Sequence, residues 1–246
     1  MSNKVKHEVY NKAPIVVAII QFRYEKIENF DSKKIISAGE KRKKEYPTSK
    51  IGISHTIKLD HTSETKISLG NNEINGVVFK SSDQTKVLTV GLDKFTLEFH
   101  GKYPGWDSVE KEVKELWALF SPELVGLKLL GLSMRYTNRI NLPIETREIN
   151  KYFNIYIHSK TGDHVISQFE IRYTSTPEEG LIVHVGHLLD AAIDGSLPYF
   201  LDIDVIQLAN IPNEEPEVWN IFNKLRDKKN SIFNDALTEE AKQLIR

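Results

Sequence analysis

Pro14–Tyr24 reads PIVVAIIQFRY, and Lys128–Leu142 reads KLLGLSMRYTNRINL. In the first stretch Ala18, Ile20, Phe22 and Tyr24 fall on one side and Gln21 and Arg23 on the other. That period of two marks a half-buried strand. Pro14 sits at the strand start, where a missing N–H is tolerated. Gln21-Phe22-Arg23-Tyr24 lies 112 residues before Ser133-Met134-Arg135-Tyr136, and Trp106 and Phe120 lie 113 residues before Trp219 and Phe233. A repeat at such a period decides the fold if it is real.

Between these landmarks each half reads strand, helix, several strands, helix. In the first half Asp31 or Ser32 caps a helix that ends before Pro47. Strands follow over Ile51–Asp60, Gly76–Lys80, Lys86–Leu92 and Phe95–His100, with turns at Asn71-Asn72 and Leu92-Asp93-Lys94. A helix over Trp106–Phe120 carries Val109, Val113, Leu116 and Trp117 at helical spacing. In the second half a short helical piece is expected near Glu145–Tyr156. Strands are expected over His164–Ser175, Gly180–Leu189 and Tyr199–Leu208, then a helix over Pro216–Leu237 and a final one capped by Thr238. The reading is an α+β fold: two repeats, 1–125 and 126–246, packed as one globular unit. Their strands form a curved, mainly antiparallel sheet with helices on one face. The element order resembles TATA-binding-protein-like folds, with a helix-grip arrangement as the alternative.

The chain has 246 residues, 33 Lys+Arg against 34 Asp+Glu, and no cysteine. This is a globular composition that excludes disulfides and thiolate chemistry. No apolar run is long enough to span a membrane. The N-terminus has no apolar leader core, so a cytoplasmic location is expected. The formal charge of −1 speaks against a nonspecific DNA binder. Locally, Lys33, Lys34, Lys41, Arg42, Lys43, Lys44 and Lys50 form a basic run. No Lys or Arg occurs between Arg172 and Lys224, and nine acidic residues do.

The period of two also collects a polar sheet face. It holds Gln21 and Arg23; Thr56 and Lys58; Thr96, Glu98 and His100. It continues with Ser133, Arg135, Thr137 and Arg139; Gln168, Glu170 and Arg172; and Asp202 and Asp204. Its guanidinium groups suit carboxylate or phosphate partners, or the charges pair across strands. His184 and His187 point to opposite faces of a strand, so they do not form a metal pair. Asp202 and Asp204 share a face and could hold Mg²⁺. No Walker lysine loop, GxGxxG or GxSxG motif occurs, and no cofactor is predicted. Trp106, Trp117 and Trp219 read as core aromatics that pin helix to sheet.

Several segments carry a family likeness: Ala13-Pro14-Ile15-Val16-Val17-Ala18, Arg135-Tyr136-Thr137-Asn138-Arg139-Ile140, Leu201-Asp202-Ile203-Asp204-Val205, and the closing Leu225-Arg226-Asp227, Phe233 and Thr238-Glu239. On these the chain resembles, from end to end, a sporadically distributed, functionally uncharacterised family of bacterial proteins of about this length. Val17 stands where the resemblance implies Glu, and Arg226 where it implies His; both departures favour binding over chemistry. The resemblance further implies a mobile or anti-phage defence locus and a role beside a separate effector. The expectation is a non-enzymatic binding or assembly subunit. It would contact a protein partner, a second copy of itself, nucleic acid or a phosphorylated ligand through Arg23, Arg135, Asn138, Arg139, Arg172, Asp202 and Asp204. The alternatives are a metal-dependent phosphoester hydrolase using Asp202 and Asp204, and a small-ligand carrier with a pocket between sheet and helices.

Overall fold

The computed structural model describes residues 10–60, 66–146, 148–157, 166–212 and 215–246, and the side chains of all of these except 53–60, 66–73 and 215. The protein is α+β. Its strands are β1 (Ile15–Tyr24), β2 (Thr48–Asp60), β3 (Lys66–Lys80), β4 (Lys86–Gly91), β5 (Lys94–His100), β6 (Leu129–Pro143), β7 (Phe169–Glu178), β8 (Leu181–Leu189) and β9 (Ser196–Gln207). The helices are α1 (Ser32–Gly39), α2 (Trp106–Phe120), α3 (Glu215–Ala236) and α4 (Glu239–Ile245). The strands form a mainly antiparallel sheet, hydrogen-bonded in the order β2-β3-β4-β5-β1-β6-β9-β8-β7. Among the described residues no helix is long and apolar enough to cross a membrane.

Two compact units emerge. One comprises Phe22–Glu98 and Gly105–Lys128; the other comprises the chain up to Gln21, Phe99–Pro104 and Leu129–Arg246. The unit holding α2 packs by rings. The Trp117 indole stacks on Phe22 with centroids 4.0 Å apart and meets Phe95 edge-on at 5.4 Å. Phe120 lies 5.4 Å from Phe79. Gly39, the last residue of α1, is required by close approach, since a Cβ there would run into the Phe79 ring. Asp31 caps α1, accepting from the Lys33 and Lys34 amides at 2.9 and 3.3 Å. That satisfies two amide donors that the first helical turn leaves without partners. Two members of the basic run beside this helix are ion-paired: Arg42 with Glu45 and Glu115, and Lys43 with Glu40.

The unit holding α3 packs that helix on β6 and β9. Val218, Phe222 and Leu225 of α3 are buried, as are Tyr136, Leu201 and Ile203 of the strands. Phe153 stacks on Tyr199 at 3.5 Å. Thr238 begins α4, accepting from the Ala241 amide at 3.4 Å and donating to the Lys151 carbonyl at 2.7 Å. The strands pair antiparallel as β6 with β9, β9 with β8 and β8 with β7.

Four expectations change. The segment expected as a helix near Glu145–Tyr156 forms only a single 3₁₀ turn at Ile149–Lys151. The backbone of Phe153 instead forms an isolated β-bridge with Leu237, and its ring stacks on Tyr199. Asn71 and Asn72 do not form a turn: β3 runs through them, and the pairing of β2 with β3 absorbs the irregularity as a shift between His55 and Ile57. Ile51, which has the opposite parity to Thr56 and Lys58 and so belongs by alternation to the apolar side of its strand, is 45% exposed. Thr96 and Ser133, expected on the open polar face, are buried. The side chains of Thr56 and Lys58 lie outside the described residues.

Candidate functional site

Register places the charged side chains of the α3 unit in rows across four strands. Thr137 of β6 lies opposite Asp202 of β9, Asp202 opposite Gly186 of β8, and Gly186 opposite Arg172 of β7. The next row runs Arg135, Asp204, His184, Thr174, and the row on the other side runs Arg139, Phe200, Leu188, Glu170. Side chains directly opposite one another on antiparallel strands share a face. The helices occupy the other face, where Met134, Tyr136, Val183, Val185 and Ile203 are buried.

Arg135 reaches diagonally past Asp204 to Asp202. Its Nε donates to Oδ1 at 2.9 Å and Oδ2 at 3.1 Å, and its Nη2 donates to Oδ2 at 2.6 Å. Thr137 Oγ1 donates to Asp202 Oδ1 at 3.1 Å. A planar guanidinium and a carboxylate match in such a fork, and the hydrogen bonds to Asp202 hold the Arg135 guanidinium above its ordinary pKa. On β7, Arg172 Nε donates to Glu170 of its own strand. Thr174 Oγ1 and His184 Nδ1 are 2.8 Å apart.

Gly186 opens a notch in the middle row. The surface there sinks into a cleft of about 280 Å³ lined by Arg135, Thr137, Glu170, Arg172, Leu188, Asp190, Phe200 and Asp202. A second hollow of about 270 Å³ lies on the Tyr173–Thr174 and His184 side of the notch. The cleft lining carries two guanidinium groups, Arg135 and Arg172, and three carboxylates, Glu170, Asp190 and Asp202. Phe200 and Leu188 supply half-buried apolar surface between them.

The structure brings together Arg135, Arg139, Arg172, Asp202 and Asp204 on this face. Arg139 donates to Asn141 Oδ1 at 3.1 Å, and its guanidinium carbon lies 5.9 Å from the Phe200 ring centroid. It does not bring in Asn138, which is 3% exposed on the helix side and donates its amide to the Leu201 carbonyl at 3.0 Å. Asn138 is a satisfied core amide. Arg23 belongs to the other unit and is exposed there. The two histidines of β8 do face opposite ways. His184 is exposed, whereas His187 is buried, with Nδ1 2.7 Å from the Tyr199 hydroxyl, and burial lowers its pKa.

The fit to a metal is poor. Asp202 spends both oxygens on Arg135 and Thr137, and a cation there would have to displace a charged guanidinium. Among the described residues no group of three His, Cys, Asp or Glu converges on one point.

Sequence reasoning misses two features. Gly186 is one; a glycine inside a strand marks a close approach or an opening, but its row partners depend on pairing that sequence does not show. Lys229 is the other. It is 8% exposed on α3 with its ammonium 4.0 Å over the Tyr136 ring. Burial, with neighbouring Arg226, pushes it down to about 7. The signal was present, since Val218, Phe222, Leu225, Lys229 and Phe233 follow one helical stripe. No protein-family model matches this chain, and no curated protein matches it.

Proposed function

We propose that this chain is a non-enzymatic binding or assembly subunit that uses the outer face of β6, β9, β8 and β7 to contact a protein partner. The carrying observation is the composition of the Gly186 cleft. Charges of both signs alternate around half-buried Phe200 and Leu188. Three carboxylates beside two guanidinium groups would repel a phosphate backbone or a phosphorylated ligand, whereas another protein's surface offers both signs and an apolar side chain for the centre. The hydrolase reading is the weaker one because Asp202 is already held by Arg135. The carrier reading draws no support from the α3 layer, where Phe222 and Tyr136 are fully buried.

The duplication belongs to the same proposal. In each half the first strand lies beside the last: β1-β5-β4-β3-β2 in one, β6-β9-β8-β7 in the other. Each set is followed by a helix, α2 or α3. Gln21 and Ser133, equivalent by the 112-residue offset, approach each other with side-chain oxygens 3.4 Å apart. A duplicated strand framework with one mixed-charge face suits an adaptor better than an enzyme. A defence or mobile-element setting, implied by the family resemblance, is part of the proposal and predicts an effector gene beside this one.

The test is affinity capture from native extract with the natural chain and with a paired variant, Arg172→Glu with Phe200→Asp. Loss of the captured protein from the variant is expected, with Lys33→Glu on α1 retaining it. Unchanged capture by the paired variant would sink the reading. Heat of Mg²⁺ uptake in calorimetry would turn it toward the hydrolase.

A further inference from the structure

β7 ends the strand order and, among the described residues, pairs with β8 alone. A strand end of this kind presents a row of unpaired backbone groups that proteins usually blunt with lysine, proline or cover. β7 has no lysine, and its proline, Pro177, comes only near its end. Residues Tyr173–Glu178 are exposed, with Tyr173 at 49% although it sits on the helix side of the strand.

The side chains of this strand are self-complementary. In a twofold pairing of β7 with its own copy, antiparallel and in plane, each residue stays on its own face, so only registers centred on a residue are open. A pair centred on Glu170 or on Arg172 sets like charges against each other. A pair centred on Tyr173 sets Arg172 against the partner's Thr174, and one centred on Ser175, which would set Arg172 against the partner's Glu178, has to run through Pro177 and the irregular stretch between Ser175 and Glu178. The pair centred on Ile171 sets Glu170 against the partner's Arg172, and Arg172 against the partner's Glu170. The same register sets Phe169 against the partner's Tyr173 on the helix side. Within one chain Arg172 already bonds Glu170, so the dimer would close a ring of four alternating charges.

We propose that two copies of this chain associate through β7, paired antiparallel about Ile171. The occupant of the edge is thus a second copy, selected by the alternation Glu170, Arg172 on one face and the rings of Phe169 and Tyr173 on the other. The proposal stands on β7 itself and not on the identity of any other partner, so it is tested on the purified chain alone.

Light scattering across a concentration series reads it directly. The natural chain is expected to pass from monomer to dimer. Glu170→Arg and Arg172→Glu each place like charges opposite one another twice per dimer and are expected to weaken association roughly tenfold. The double variant Glu170→Arg, Arg172→Glu is expected to restore it. Both side chains are more than half exposed, so the variants fold, and circular dichroism checks that. A monomer at every concentration, a dimer indifferent to the single changes, or a double variant that fails to recover would each overturn the proposal. Amide exchange on the natural chain gives an independent reading: Phe169–Thr174 should gain protection as concentration rises, and unchanged protection would count against pairing.

Discussion

Where α2 meets its strands, rings dominate: Phe22, Phe95 and Trp117 in one cluster, Phe79 and Phe120 in another, with an ion pair beside them from Lys86 of β4 to Glu112 at 2.7 Å. Where α3 meets its strands, polar groups enter the same kind of layer. Tyr136 bonds Tyr103 at 2.8 Å, His187 bonds Tyr199, Asn138 bonds the Leu201 carbonyl, and the Lys229 ammonium rests on the Tyr136 ring. The first layer draws its strength from area removed from water. The second keeps polar groups inside by giving them partners, and the burial of an amine is a standing cost that the ring offsets only in part.

The contrast is broken most sharply at Trp117. Trp117→Ala removes the ring shared by Phe22 and Phe95 and should cost about 3–5 kcal/mol in denaturant unfolding. A loss below 1 kcal/mol would mean the ring cluster is not the main support.

Lys229→Met is expected to act in the opposite direction. Replacing the buried amine with an apolar chain of similar length should raise stability at neutral pH by about 1–4 kcal/mol. The pH dependence follows from the lowered pKa. Between about 7 and the ordinary 10.5 of lysine, the unfolded chain binds a proton that the folded chain does not. Stability of the natural protein should therefore climb as pH rises through that window. Thermal midpoints of the methionine variant should lack that climb; parallel curves for the two proteins would refute the buried-amine cost.

The smallest expected effect is at the helix start. Asp31→Ala removes both amide contacts that cap α1 and should cost about 1 kcal/mol, with Asp31→Asn recovering most of it. A null result for Asp31→Ala would show that α1 is held by its contact with Phe79 rather than by its cap.

Much of this frame is legible in the residues alone. Helical spacing places α2 at Trp106–Phe120, Asp31 and Thr238 announce their caps, and alternation finds β1 and β6. Alternation also collects Arg135, Arg172 and Asp202 on one face, because it depends only on local geometry. What fails to show is set by distant partners. Ile149, Tyr152, Phe153 and Tyr156 have helical spacing, yet Phe153 is claimed by Leu237 and Tyr199. Asn138 lies within a conspicuous arginine motif but has the parity of Tyr136 and Ile140, and burial follows parity. The cleft is invisible because its empty position, Gly186, acquires neighbours only when β7, β8 and β9 take their register.

Gly186 has a negative φ, and a methyl group built on it would sit 3.6 Å from Asp202 Cβ and 3.7 Å from Arg172 Cγ, ordinary spacing on both sides. The vacancy at that position is thus not demanded by the architecture. The scaffold would accept a filled version, so the shape of this surface can be rewritten by inheritance or by design while the helical side carries the burden of holding the molecule together.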